Sequence, residues 1–139
     1  MLPSGILPLV LVIDYDDAFR CCLCRALANR QWQTISASNT GEALLGVGSR
    51  SPDLVLIDPR TPEGVALVQQ LRSTHSSTTI IVLTGFGNNA MAADAIKHGA
   101  DACLNKPADA EQILGLYQEF RACPPDVAGP CGSETIREK

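Results

Sequence analysis

The chain has 139 residues, 45% of them hydrophobic, and a net charge of −4 from 11 basic and 15 acidic side chains. That is enough for one core without staples, and with lysine only at Lys97, Lys106 and Lys139 no basic cluster forms, which excludes a nucleic-acid footprint. No apolar run is long enough to span a bilayer, and Met1-Leu2-Pro3-Ser4-Gly5 lacks the basic and long apolar regions of a secretory signal, so the sequence predicts a cytoplasmic protein.

Pro8 to Ile13 is a continuous apolar run that ends in acid, Asp14-Tyr15-Asp16-Asp17. Such a run reads as a strand buried on both faces. From Asp17 the period changes: Phe19, Cys22, Leu23, Ala26 and Leu27 recur at helical spacing, with Asp16 or Asp17 as cap. Trp32 to Ala37 is a short strand, and Thr40-Gly41-Glu42 opens a helix that ends near Gly46 to Gly48. Leu54-Val55-Leu56-Ile57 is a second fully apolar strand, closed by Asp58. Thr61-Pro62-Glu63 starts a third helix with Val65, Leu67, Val68 and Leu71 on its inner face. Thr79 to Leu83 is the next buried strand, followed by Thr84-Gly85-Phe86-Gly87. Asn88 caps an alanine-rich helix that stops at Gly99. Ala102-Cys103-Leu104 is a short fifth strand, ending Asn105-Lys106-Pro107. Asp109 caps a last helix with Ile113, Leu114 and Tyr117 inward. Strand and helix alternate five times, which predicts an α/β protein with a parallel sheet and right-handed crossovers. Residues 1–122 form the domain. Pro124-Pro125, Gly129-Pro130 and Gly132 mark residues 123–139 as a flexible tail too short to form a further domain.

The six cysteines suit a reducing compartment, with Cys22 and Cys103 read as small core residues. Cys21-x-x-Cys24 has redox spacing but lies mid-helix without a second pair to complete a metal site. His75, His98 and Asp101 read as loop, helix-end and turn residues.

The residues just past the strands carry the chemistry. They are Asp14 with Asp16 close by, then Asp58, Thr84 and Lys106. In a parallel sheet these loops open at one edge, so distant residues converge there. Clustered carboxylates repel, and a hard cation such as Mg²⁺ would relieve the repulsion. A solvent-reachable Asp58 could attack phosphorus, Lys106 and the metal would neutralise developing charge, and Thr84 would donate a hydrogen bond.

With LVID at residues 11–14, LVLIDPRTPEG at 54–64, IVLTGFG at 81–87 and LNKP at 104–107, the chain resembles the receiver domain of bacterial two-component response regulators. The DPRTPEG, LTGFG and KPAD strings are similar to the ActR/RegA type. The resemblance implies a flavodoxin-like (CheY-like) doubly wound sheet of five strands, order 2-1-3-4-5, with helices on both faces. It implies phosphorelay signalling. Asp58 would accept phosphate from a sensor histidine kinase or histidine phosphotransfer protein, with Thr84 as switch hydroxyl, Lys106 as phosphate-pairing lysine, a cis Lys106–Pro107 peptide, and Asp14, Asp58 and the Arg60 carbonyl as Mg²⁺ ligands. Such a module is not an enzyme, although it assists its own phosphoryl transfer and autodephosphorylation. It would be a monomer or weak dimer acting on a protein target.

Two positions depart from the pattern. Tyr15 replaces the second of two adjacent acids, which weakens or abolishes Mg²⁺ binding unless Asp16 reaches in. Cys103 stands where an aromatic switch residue is usual and is too small to sweep the same volume. The alternatives are a degenerate pseudo-receiver that binds partners without phosphate, and a haloacid-dehalogenase-like phosphatase suggested by Asp14-x-Asp16. The second suffers from Ala18 where that motif needs Thr or Val, and from the lack of late paired carboxylates.

Overall fold

The computed structural model describes residues 7–48, 50–85 and 89–122. Their elements run in strict alternation: β1 (Leu9–Ile13), α1 (Asp17–Ala28), β2 (Gln33–Ala37), α2 (Thr40–Val47), β3 (Leu54–Ile57), α3 (Gly64–Thr74), β4 (Thr79–Thr84), α4 (Asn89–Lys97), β5 (Ala102–Asn105) and α5 (Ala110–Ala122). The five strands form one parallel sheet in the order β2-β1-β3-β4-β5, as the resemblance implied. Ile13 pairs with Ala37 on one side and Ile57 on the other, Ile57 pairs with Val82, and Thr84 pairs with Asn105. The residues following β1 and β3 and those ending β4 and β5 therefore stand along one rim.

The unbroken apolar runs are explained by burial on both faces. Alternate residues of β1, β3 and β4 point to opposite sides. Leu11, Ile13, Val55, Ile57, Ile80 and Val82 meet α2, α3 and α4, whereas Val10, Val12, Leu54, Leu56, Ile81 and Leu83 meet α1 and α5. Asp16 caps α1 by accepting from the Phe19 amide at 3.2 Å, Asn39 caps α2 by accepting from Glu42 N at 2.8 Å, and Asp109 accepts from Gln112 N at 2.8 Å. No helix among the described residues is long and apolar enough to cross a membrane.

Three expectations need correction. Cys22 is exposed, and Leu23 and Leu27 define the buried stripe of α1, with Cys24 on its flank. Each helical residue turns the side chain by about 100°, so a one-residue error in phase moves a side chain from core to water. Cys103 is half-buried against the core rather than inside it, because β5 is the edge strand. The third helix starts at Gly64, not at Thr61-Pro62-Glu63, since Glu63 adopts a left-handed conformation, φ 61°, that ends the turn before the helix begins. The Lys106–Pro107 peptide is cis. The tail at 123–139 and Asn88 as a helix cap lie outside the described residues.

The rim opposite the site is tied by Arg72 of α3. Its guanidinium donates to the carbonyls of Gly99 (2.9 Å), Ser76 (2.8 Å) and Thr78 (2.8 Å) and to Asp101 Oδ2 (2.6 Å). Asp101 also accepts from the Ile80 amide at 2.8 Å, so the turn before β5 is stapled to β4. Gly99, at φ +127°, lets the chain turn beneath Arg72, whose Cβ would lie 2.9 Å from a Cβ at that position. Arg72→Ala would strip a charge-assisted donor from several backbone carbonyls at once, and is expected to lower stability by about 2 kcal/mol. The check is urea unfolding. A midpoint unchanged from the natural chain would show that the staple is dispensable.

Candidate functional site at the carboxyl rim of the sheet

The site begins with backbone register. The Asp58 amide donates to the Ile13 carbonyl (3.0 Å), the Asp14 amide to Ala37 (3.0 Å) and the Lys106 amide to Thr84 (2.8 Å). These ladder bonds extend the sheet by one residue past β1, β3 and β5 and fix where each functional side chain starts. Lys106 Nζ lies between the two carboxylates, 2.6 Å from Asp14 Oδ2 and 2.8 Å from Asp58 Oδ2. The Phe19 ring covers the amine, centroid 4.4 Å away, and so removes water from one side of it. Arg20 donates to the Asp14 carbonyl and holds that loop to α1. Thr84 is buried at the end of β4, and its Oγ1 donates to the Gly85 carbonyl at 3.1 Å.

Asp58 differs from the sequence expectation in one respect: none of its surface reaches solvent. Part of its cover is a surface side chain. Arg60, 37% exposed, folds back from the β3–α3 loop. Its amide donates to Asp58 Oδ1 at 2.8 Å, its Nη2 to Oδ2 at 3.1 Å and its Nε to Oδ1 at 3.4 Å. The same guanidinium lies 4.8 Å from the centroid of the Tyr15 ring. The motif pattern gives Arg60 only a backbone carbonyl as ligand and treats Tyr15 only as a missing acid. The D-x-R spacing within a turn was the available signal.

The charges set the protonation states. Burial pushes Asp58 upward, but hydrogen bonds and charge from Arg60 and Lys106 outweigh it and hold the carboxyl below its ordinary value. Burial pulls Lys106 down, yet Asp14 and Asp58 raise it above the ordinary lysine value. Both groups are thus ionised at neutral pH. Burial raises the thiols of Cys103 and Cys24, which keeps both neutral.

As arranged, the donor set is a poor fit for a hard divalent cation. Every oxygen of Asp14 and Asp58 already meets an N–H: Asp14 Oδ1 accepts from Asp16 N at 2.9 Å, Asp14 Oδ2 from Lys106, and both Asp58 oxygens from Arg60 or Lys106. Asp16 does not reach in, because its Oδ1 is the cap of α1. No group of three or more His, Cys, Asp or Glu side chains able to hold a metal occurs among the described residues.

The family profile described as response regulator receiver domain matches residues 10–118. In sequence the chain is 37% identical over 131 residues to the photosynthetic apparatus regulatory protein RegA of Rhodobacter capsulatus, covering 92% of this chain and 71% of that protein. It is 38% identical over 133 residues to the acid tolerance regulatory protein ActR of Rhizobium meliloti, covering 92% and 68%. Among solved structures, a response regulator from Burkholderia pseudomallei with a phosphorylated aspartic acid, calcium ion and citrate superposes with a TM-score of 0.72 at 33% identity, covering 83% of this chain and 71% of that one. A response regulator receiver domain protein from Clostridium thermocellum gives 0.72 at 26%, covering 81% and 92%.

The pKa directions fix the sign of a pH effect. Asp58, depressed in the folded state, contributes stability that is present above the unfolded carboxylate value of about 3.9 and is lost as pH falls through the lower folded value. Lys106, raised, contributes stability present below about 10.4 and lost as pH rises through its higher folded value. The urea midpoint is therefore expected to fall below about pH 4, and Asp58→Asn to flatten that acid slope. A slope identical in the variant would show that Asp58 is not held as described.

Proposed function

The chain belongs to the response regulator receiver domain family, whose members are phosphorelay signalling modules, and from that premise we propose that Asp58 is its phosphoacceptor. The donor would be the phosphohistidine of a sensor kinase or histidine phosphotransfer protein, met in the cytoplasm by a monomer or weak dimer. One observation carries this reading: a single amine joins carboxylates 92 and 48 residues away in sequence, at the rim where a parallel sheet gathers its loops.

Asp58 is ionised and so in its nucleophilic form. Its oxygen attacks phosphorus, the O–P bond of an acyl phosphate forms, and the P–N bond of the donor breaks with its electron pair left on the imidazole. The transition state spreads charge over the equatorial phosphoryl oxygens, and catalysis is mainly positioning and neutralisation. Lys106 can pass one hydrogen bond from Asp58 to a phosphoryl oxygen without losing Asp14. Thr84 supplies the hydroxyl donor on the neighbouring strand. For phosphorus to approach, Arg60 must turn outward, which its loop position and partial exposure permit. Water attacking the same phosphorus would reverse the modification, and Lys106 would assist that step as well.

Receiver domains in general bind Mg²⁺. In this chain the substitution at Tyr15 and the occupied carboxylates argue for weakened binding, and no step above depends on it. Cys103, small and half-buried where an aromatic is usual, leaves signalling to Thr84 and backbone shifts in the β4–β5 region toward a protein partner.

Incubation with phosphoramidate should add one phosphoryl group to the intact mass. Asp58→Asn should prevent the addition, and Lys106→Ala should slow it by roughly 100-fold, the usual cost of removing one charge-stabilising donor. An unchanged mass in the natural chain, or equal labelling of Asp58→Asn, would refute the assignment.

A further inference from the structure

The side chains around Asp58 balance without an outside ion. Asp14 and Asp58 contribute two negative charges, and Lys106 and Arg60 contribute two positive ones. We infer that the Arg60 guanidinium, seated on the Tyr15 ring, is the resident cation of the unphosphorylated site and there fills the charge position that a divalent metal ion holds in receivers with a second acid.

Three observations converge on this. First, the guanidinium grips Asp58 through both oxygens, and the carboxylate it grips has no solvent exposure. A pair desolvated on one side interacts far more strongly than an open surface pair. Second, the Tyr15 ring stands 50% exposed at the rim, where its face is open to a cation from a neighbouring loop. That cation is Arg60 at 4.8 Å, so the ring and the guanidinium, from loops after different strands, hold each other. Third, the residue exchange is consistent in charge. An acid at position 15 would leave one uncompensated negative charge at the rim, which favours a hard cation, whereas tyrosine removes that charge and adds a platform for an organic one. A magnesium ion would have to displace Arg60 and shed water for only two carboxylates, both of them shared with Lys106.

The inference deepens the phosphoacceptor reading and rests on it for the identity of the site, but metal alone tests it separately. MgCl₂ is titrated calorimetrically into the natural chain, Tyr15→Phe, and the double variant Tyr15→Asp with Arg60→Ala. The natural chain and Tyr15→Phe, which keeps the ring, should bind alike and weakly. The double variant should bind at least about tenfold more tightly, equivalent to ~1.4 kcal/mol. Natural protein that binds Mg²⁺ as tightly as the double variant overturns the inference. A reading independent of any variant comes from the Arg60 Nε–H resonance in ¹⁵N NMR. It should stay unmoved by Mg²⁺, and a saturable shift would show the ion entering at the guanidinium's expense. Phosphoramidate labelling of the same proteins keeps the two readings apart. If no protein is labelled on Asp58 the acceptor assignment fails, while the titration still decides the cation.

Discussion

The ammonium of Lys106, placed between Asp14 and Asp58, is the interaction on which the rest of this rim depends. Two carboxylates brought to the ends of neighbouring strands would repel in a partly dry environment, and neither could remain ionised at low cost. The amine turns that repulsion into attraction and couples strands β1, β3 and β5 across the sheet. It can do so because β5 is placed by its pairing with β4, and the Lys106 amide is anchored to the Thr84 carbonyl. The side chain then reaches over β4 to the acids, with Phe19 of α1 closing over it.

The molecule divides its polar groups between its two rims. At the amino ends of the strands they are spent on structure. Arg72 and Asp101 bind backbone, Asp53 Oδ2 accepts from the Leu9 amide, and Thr78 donates to the Pro52 carbonyl. At the carboxyl ends they face one another with charge in balance. A staple built from backbone partners admits no rearrangement without leaving polar groups unpaired. A cluster of side-chain ions can exchange partners, as Lys106 can between Asp14 and Asp58. Rigid support on one edge and exchangeable charge on the other is the physical basis on which the proposed phosphoacceptor site would accept and release an anionic group.

Arg60 and Tyr15 show how this arrangement tolerates a departure from the family pattern. Losing an acid after β1 does not leave a gap at the rim. The organic cation two residues past Asp58 folds back into the charge balance and seals the carboxylate from water. Part of the cover is the partly exposed Arg60 side chain, whose movement is the opening that the proposed phosphoryl transfer calls for. That differs from a carboxylate enclosed by apolar groups, whose exposure would require unfolding.

The sheet and its working edge were legible in the order of side chains. Three or more consecutive branched residues in β1, β3 and β4 have no low-energy alternative to burial on both faces, and strands so buried need helical crossovers. Acids and a lysine that end such runs are excluded from the core by their charge, so Asp14, Asp58 and Lys106 had to meet at one rim. Tertiary structure decided what sequence patterns leave free. The phase of α1, which exposes Cys22 and half-buries Cys24, was set by packing on β2 and α5. The left-handed turn at Glu63 delayed α3 to Gly64. The direction of the Arg60 side chain was set by two partners, an aspartate two residues away and a tyrosine from another loop, and a long side chain with several rotamers takes its position from neighbours that no local periodicity encodes.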